Sequence, residues 1–130
     1  MTNGVPGMWL SLRLHDVDAM VAWLEAIGLR ELMAHRDDDG LLVHGEYLWP
    51  HGGGVMVGAD REVARWPQTP GTQAVYLVAD DVDGVYAAAI NAGGTSLYEP
   101  SATDYSDRDA GVRDPDGNLW SFGTYAPGAV

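Results

Sequence analysis

His44 and Glu46 are the pair of side chains in this sequence best placed for acid–base chemistry. They lie two positions apart in residues 41–48, a segment predicted to be a β-strand, so both point to the same face of that strand. An imidazole and a carboxylate held side by side could act as a general acid/base pair or supply part of a metal site. Both interpretations stay open at this level.

The remaining histidines favour local structure over catalysis. His15 adjoins Asp16 at a predicted strand-to-helix turn, where a local hydrogen bond is expected. His35 precedes an acidic turn at residues 37–39. The run at residues 51–54, a His followed by three Gly, resembles an esterase oxyanion loop. Because the chain has no Gly-x-Ser-x-Gly nucleophile elbow, this run is interpreted as a turn.

Residue types that the chain lacks exclude several mechanisms. Its 130 residues include no Cys and no Lys. Thiolate nucleophiles, sulfur metal ligands, Schiff bases and a P-loop lysine are therefore excluded. Neither a Gly-x-Gly-x-x-Gly motif nor a Walker motif occurs.

The charge balance limits the partners. Nineteen acidic residues against seven basic ones give a net charge of −12, so non-specific binding to nucleic acid is not expected. A negative field favours a cationic small ligand, although the same charge could serve solubility alone. The sequence has no signal peptide that can be recognised and no apolar run near the ~20 residues of a membrane helix. A cytoplasmic protein without membrane contact is expected.

A weak internal repeat organises the chain. The motif Asp-Val-Asp at residues 16–18 recurs at residues 81–83, an offset of 65. The same offset pairs the positions Leu12 with Leu77, Gly28 with Gly93, and Val57 with Phe122. Two copies are too few for a solenoid and indicate a duplicated half-domain.

Each copy is predicted to contain one strand, one helix and three more strands. The predicted strands are residues 8–14, 30–36, 41–48 and 54–58 in the first copy, and 73–79, 95–99, 108–113 and 118–124 in the second. The helices start near Asp16 or Asp18 and near residue 82, and glycines end them. This is an α+β fold of two βαβββ modules, residues 8–58 and 72–125, joined by a linker at 59–71. Pairing the modules forms a cup-shaped mixed sheet with helices outside and a cavity inside.

Two motifs on this pattern resemble the vicinal oxygen chelate superfamily, which includes glyoxalase I, extradiol dioxygenases, fosfomycin-resistance enzymes and bleomycin-resistance proteins. One is Leu-His-Asp-Val-Asp-Ala at residues 14–19, and the other is Asp-Pro-Asp-Gly-Asn-Leu-Trp-Ser-Phe-Gly at residues 114–123. The resemblance covers residues 8–125 and implies the glyoxalase/bleomycin-resistance fold.

In metal-dependent relatives, four inward side chains, usually His and Glu, hold one divalent ion. The resemblance places these four positions at Trp9, Met56, Ala74 and Ser121. None of them offers the nitrogen or carboxylate ligands that such an ion prefers. The departure from the family pattern implies a member without the metal site and without a cofactor.

A pocket with aromatic walls is expected instead, because flat rings stack on planar or cationic ligands. The predicted ligand-binding residues are Trp9, Ser11, Arg13, Met56, Ala74, Tyr76 and Ser121 on the inner faces, with Tyr47, Trp49, Tyr98 and Tyr105 at the rim. Trp120 and Phe122 alternate with the inner-face residues and are expected in the core.

Three functions remain open. The first is a metal-free protein that sequesters an aromatic or cationic small molecule such as an antibiotic, as bleomycin-resistance proteins do. The second is a metal-dependent lyase, isomerase or dioxygenase of the glyoxalase kind with displaced ligands, for which the donors are His44, Glu46, His51 and Glu99. The third is a module without a small ligand. The resemblance also implies a homodimer, and an exposed sheet edge would favour the same pairing.

Overall fold

A computed structural model describes residues 5–61 and 65–128 of the chain. In chain order its elements are β1 (Trp9–Leu14), α1 (Val17–Ala26), β2 (Arg30–Arg36), β3 (Leu42–Leu48), β4 (Gly54–Ala59), β5 (Ala74–Val78), α2 (Val82–Asn91), β6 (Thr95–Ser101), β7 (Asp109–Arg113) and β8 (Leu119–Gly123). Their order is that of the predicted βαβββ repeat. Residues 1–4 and residues 62–64 of the predicted linker lie outside the described residues.

The two helices begin in the same way. The side chain of Asp16 accepts a hydrogen bond from the backbone N–H of Ala19 at 3.2 Å, and that of Asp81 accepts one from Gly84 at 3.0 Å. Each carboxylate satisfies an N–H that has no partner within the helix. Within the described residues, no helix has the length and apolar character needed to cross a membrane.

The strands form two four-stranded mixed sheets with identical topology. The first has the order β1-β4-β3-β2 and the second β5-β8-β7-β6. In each sheet the first strand pairs in parallel with the fourth, and the remaining pairs are antiparallel. This duplication confirms the predicted α+β fold of two βαβββ modules.

One face of each sheet lies in a shared hydrophobic core. Leu12 and Leu14 of β1 are buried there, as are Trp120 and Phe122 of β8. The core also takes in the apolar sides of both helices. The alternation that predicted these strands therefore separates a buried face from a second face on each sheet.

Aromatic side chains join the two modules through this core. The indole of Trp23 in α1 meets that of Trp120 edge to face, with ring centroids 5.0 Å apart. The Trp23 Nε1–H also donates to the carbonyl of Ala89 in α2 at 3.0 Å. Such a pair fixes the angle between the modules because both rings are fully buried.

Hairpin turns dock each module onto the other. Asp116, in the turn between β7 and β8, accepts hydrogen bonds from the backbone N–H groups of His15 and Asp16 at 2.8 and 3.0 Å. In the reciprocal place, Trp49 after β3 donates to the carbonyl of Val78 at 2.8 Å. Each module thus uses the turn between its third and fourth strands to bond to the other module, although through different positions of the turn.

Candidate functional site

The faces of the two sheets that point away from the core carry the polar and aromatic side chains of interest. On the first sheet, Met56 of β4 pairs with Ser11 on the neighbouring strand β1 and with Glu46 on the other neighbouring strand, β3. Strand alternation places Trp9 and Arg13 on this same side. We call this surface the first open face.

A cleft of about 360 Å³ lies at the edge of the first open face. Its walls include the indoles of Trp9 and Trp66, with Gln68 and Gln73 as polar groups. A hydrogen bond holds the segment around Gln68 against β1, since the Gln68 amide donates to the carbonyl of Ser11 at 2.7 Å. Two indoles and two amides in one cleft can bind a flat molecule with polar edges.

Trp9 owes its position to a glycine. A Cβ at Gly54, which pairs with Trp9 on the neighbouring strand, would overlap the Trp9 ring. The Trp9 Nε1–H donates to the carbonyl of Pro6 at 2.8 Å. The ring therefore lies against the backbone of β4 with its donor already satisfied, which leaves its apolar surface for contact.

The predicted acid–base pair forms on the first open face. His44 Nε2 lies 2.9 Å from Glu46 Oε2, and both side chains remain partly exposed. A neighbouring cavity of about 250 Å³ is lined by His44 together with Ser11, Arg13 and Met56.

The corresponding side of the second sheet, which we call the second open face, is more apolar. It holds a cavity of about 470 Å³ lined by Ala74, Val75, Tyr76, Leu97, Tyr98, Leu119, Trp120 and Ser121. Ser121 lies opposite Tyr76 in the sheet register. Of the residues predicted to bind ligand, Ala74, Tyr76, Tyr98 and Ser121 therefore meet in one cavity.

Asp109 is a residue of this face that the sequence reasoning missed. It is 2% exposed, and its Oδ1 accepts a hydrogen bond from the hydroxyl of Tyr98. The repeat contained a signal for it, since the offset of 65 equates Asp109 with His44 of the first face.

The tyrosines around Asp109 are held in the neutral form. Burial is the main cause that raises the pKa of Tyr98, followed by its hydrogen bond to Asp109 and the charge of that carboxylate. Burial also raises the pKa of Tyr76, with Asp109, Tyr105 and Tyr125 adding to the effect. These groups are therefore close enough to influence one another.

Two predicted rim residues are placed elsewhere, which corrects their assignment to the ligand site. Tyr47 and Trp49 are buried in the hydrophobic core. Tyr47 pairs with Val55 on the core side of the sheet, and Trp49 joins the modules as described above. Burial raises the pKa of Tyr47 to about 12, with the carboxylate of Glu31 as the next cause. On β3, Tyr47 has the opposite parity to His44 and Glu46, which places it on the core side.

The side chains at the four positions that the resemblance assigns to metal ligands do not fit a divalent metal ion. Trp9 and Met56 lie on the first sheet, whereas Ala74 and Ser121 lie on the second, and none of the four is a suitable donor. Among residues 5–61 and 65–128, no three His, Asp or Glu side chains gather closely enough to hold a metal.

The alternative donors are also dispersed. His51 lies in the turn before β4, where its Nε2 is 3.3 Å from Asp80 Oδ2. Glu99 is exposed on β6, in the other sheet from His44 and Glu46.

Comparison with known proteins shows which proteins this chain resembles. The family described as the Glyoxalase/Bleomycin resistance protein/Dioxygenase superfamily matches residues 9–122. No curated protein sequence matches the chain.

Solved structures share the fold. TioX from Micromonospora sp. ML1 is 27% identical with a TM-score of 0.74, over 92% of this chain and 98% of its own. A glyoxalase/bleomycin resistance protein/dioxygenase family enzyme from Burkholderia phytofirmans PsJN is 21% identical with a TM-score of 0.69, over 88% and 94% of the two chains. TnmS3 from Streptomyces sp. CB03234 is 22% identical with a TM-score of 0.66, over 97% and 100%.

Proposed function

The chain belongs to the Glyoxalase/Bleomycin resistance protein/Dioxygenase superfamily, and we propose that it binds an aromatic or cationic small molecule, such as an antibiotic, without a metal ion. The observation that carries this proposal is the cleft between the indoles of Trp9 and Trp66. Its volume of about 360 Å³ falls within the ~300–1,000 Å³ that small-molecule sites usually have.

The chemistry of the cleft favours a planar ligand. Indole faces gain stacking and cation–π energy from flat or positively charged groups. Gln73 can orient a ligand by hydrogen bonds at its edge, while Gln68, which bonds to Ser11 and Trp66, holds the wall of the cleft in place. The net charge of −12 adds an attraction for cations that is independent of the cleft.

The donor set supports a metal-free mode of binding. The positions where relatives carry metal ligands hold an indole, a thioether, a methyl and a hydroxyl in this chain. A hard or borderline divalent ion prefers imidazole nitrogen and carboxylate oxygen to all of these.

A solved relative agrees with the proposed class of function. TnmS3, which shares the fold at 22% identity, is described as an antibiotic binding protein. Sequestration of an antibiotic would give the present chain a role in resistance.

A homodimer is part of the proposal. The open faces expose large apolar side chains, among them Leu97, Tyr98 and Leu119 on the second sheet and Met33 on the first. Contiguous apolar surface of this kind is typical of protein interfaces and ligand grooves. A second copy packed against these faces would turn shallow cavities into closed ones.

The proposal is tested by a thermal-shift screen of planar aromatic and glycopeptide antibiotics. A ligand at about one hundred times its Kd stabilises the folded state by about 2.7 kcal/mol, so a true ligand raises the Tm clearly. The cleft is tested with Trp9→Ala, and the neighbouring Met8→Ala serves as control because Met8 is largely exposed. A shift in wild type and Met8→Ala that is lost in Trp9→Ala supports the proposal. A panel in which only a small dicarbonyl adduct raises the Tm contradicts it.

One observation favours a second function, a metal-dependent lyase, isomerase or dioxygenase. The His44–Glu46 pair at 2.9 Å resembles part of a displaced donor set. This function requires about one equivalent of Ni, Zn, Fe or Mn in the purified protein. Elemental analysis below about a tenth of an equivalent, unchanged after reconstitution, would exclude it.

A further inference from the structure

Two of the seven basic residues of this chain line a single cavity. Arg13 of β1 and Arg61, which follows β4, form part of the wall of the cavity of about 250 Å³ on the first open face. The imidazole of His44 belongs to the same wall, and no Asp or Glu of the described residues lines it. Positive charge is therefore concentrated here, in a chain whose net charge is −12.

The guanidinium group of Arg13 lies beside this space. Arg13 pairs with Gly58 in the parallel register of β1 and β4, and Gly58 also lines the cavity. The Arg13 Nη1 lies 3.9 Å from the place that a Cβ would take at Gly58. The half-buried Arg13 side chain thus lies over the sheet at a position where the neighbouring strand carries no side chain.

The donors of both guanidinium groups are available to a ligand. In the part of the chain that the structure describes, neither Arg13 nor Arg61 forms an ion pair. Arg108, in contrast, binds Asp83 at 3.0 Å. An arginine side chain presents its N–H donors in a rigid fork that matches the two oxygens of a carboxylate. The two unengaged forks can therefore hold such a group by charge-assisted hydrogen bonds.

The carboxylates near the cavity are directed to other partners. Glu46 Oε2 lies 2.9 Å from His44 Nε2. Asp60 precedes Arg61 but lines a separate crevice together with His15. An anion that enters the cavity therefore meets guanidinium groups in its wall rather than carboxylates.

The cavity is continuous with the cleft between the two indoles. Ser11 and Trp66 line both spaces. A flat ring that stacks on Trp66 can therefore extend a short substituent toward Arg13 and Arg61. The two spaces together suit a molecule with an aromatic part and a charged group at one edge.

We propose that Arg13 and Arg61 bind a carboxylate group of the aromatic ligand. The guanidinium forks supply both the countercharge and the hydrogen-bond geometry. A monoanion suits the site better than a dianionic phosphate, because the net charge of −12 repels each further negative charge. The inference rests on the proposed function, because it names a second chemical group of the ligand whose ring the indole cleft binds.

The test compares 1-naphthylacetate with 1-naphthylacetamide, which has the same ring and arm but no charge. Binding to the full chain is followed at low ionic strength by NMR titration of the indole N–H signals. Wild type is expected to bind the carboxylate at least about fivefold more tightly than the amide, the size of effect that partly exposed ion pairs produce. Arg13→Gln removes one guanidinium and keeps a polar side chain, and it should reduce this preference to less than about twofold.

Arg30→Gln is the matched control, because it removes one positive charge from an exposed position on β2 that lines neither space. It should leave the preference unchanged. If Arg13→Gln does not fold, Arg61→Gln decides, because Arg61 is exposed. That variant should weaken binding of 1-naphthylacetate at least about threefold and leave binding of the amide unchanged.

The inference is overturned if wild type binds the two probes equally or binds neither. It is also overturned if Arg30→Gln loses as much of the preference as Arg13→Gln, or if Arg61→Gln binds 1-naphthylacetate like wild type. Failure here is distinct from failure of the proposed function. Equal binding of both probes by wild type, weakened alike by Trp9→Ala, would retain the aromatic cleft while removing the carboxylate site.

Discussion

Two aromatic residues on the open faces pack against glycines, which have no side chain that would occupy the place of the ring. Trp9 lies against Gly54 and Tyr98 against Gly111, and in both places a Cβ would overlap the ring. A flat ring on a glycine backbone loses little mobility on ligand binding, because it is already held. In the proposed mode of binding, these glycines would contribute by holding the rings in place.

Gly54→Ala is expected to destabilise the protein by about 1–3 kcal/mol, because the new methyl group would have to displace either Trp9 or the backbone. Its Cβ would lie 2.6 Å from the carbonyl oxygen of Tyr47. Urea unfolding measures the change. Gly7→Ala is the control, since nothing lies within 4 Å of the added Cβ. Equal stability of the two variants would show that Trp9 does not depend on Gly54.

The pH dependence of stability tests the burial of Tyr47. Its pKa is about 12 in the folded state against about 10 in an unfolded chain, so the folded state holds the proton more tightly. The stabilisation is complete below pH 10 and is lost as the pH rises from about 10 to 12. Tyr47→Phe should show a smaller loss of unfolding free energy over this range. A loss equal to that of wild type would place Tyr47 outside the core.

Residue types and parity were enough to predict some of the site. Trp9, Ser11 and Arg13 face away from the core because Leu12 and Leu14 face into it. On β3 the same parity assigns Tyr47 to the buried face, although its aromatic character favoured the rim. Aromatic character alone does not distinguish a ligand contact from a core residue, since both environments favour large apolar rings.

At the scale of elements, the turn between β7 and β8 depends on one buried carboxylate. Asp114 Oδ1 accepts from the backbone N–H groups of Asp116, Gly117 and Asn118 at 2.8–3.0 Å. Its Oδ2 accepts from the Asn118 amide at 2.7 Å and from the Trp120 indole at 2.8 Å. This turn also holds the start of α1 through Asp116, so the family motif is structural in this chain.

Asp114→Asn is expected to lower the unfolding free energy by about 3 kcal/mol, because the new NH₂ group would face donors and leave buried groups unpaired. Chemical denaturation measures the loss. Asp38→Asn, in an exposed turn, changes the charge equally and should cost less than about 0.5 kcal/mol. Comparable values for the two variants would refute the structural role of the motif.

The elements themselves were predictable because local signals agree with one another. Asp16 and Asp81 cap the helices, and Gly28 and Gly93 end them with φ values of +117° and +110°. The angle between the modules was not predictable. It is set by tertiary contacts such as Trp23 against Trp120, which no local pattern encodes.

At the scale of the whole molecule, the apolar open faces predict a dimer with a mass of about twice 13.9 kDa. Leu119→Arg should shift sedimentation toward the monomer, because Leu119 lies on the second open face and is 40% exposed. Leu41→Arg is the matched control in a turn, with 41% exposure. A monomeric wild type, or equal dissociation of both variants, would contradict an interface at this face.

Throughout, we propose that this chain binds a small molecule at its open faces through aromatic side chains and without a metal. Calorimetric titration of EDTA-treated protein, with the antibiotic that gives the largest thermal shift, tests it most directly. Saturable binding is expected, which Trp9→Ala weakens at least about tenfold and Met8→Ala leaves unchanged. Binding that appears only after a divalent metal is added back, or that is equally tight in Trp9→Ala, would contradict it.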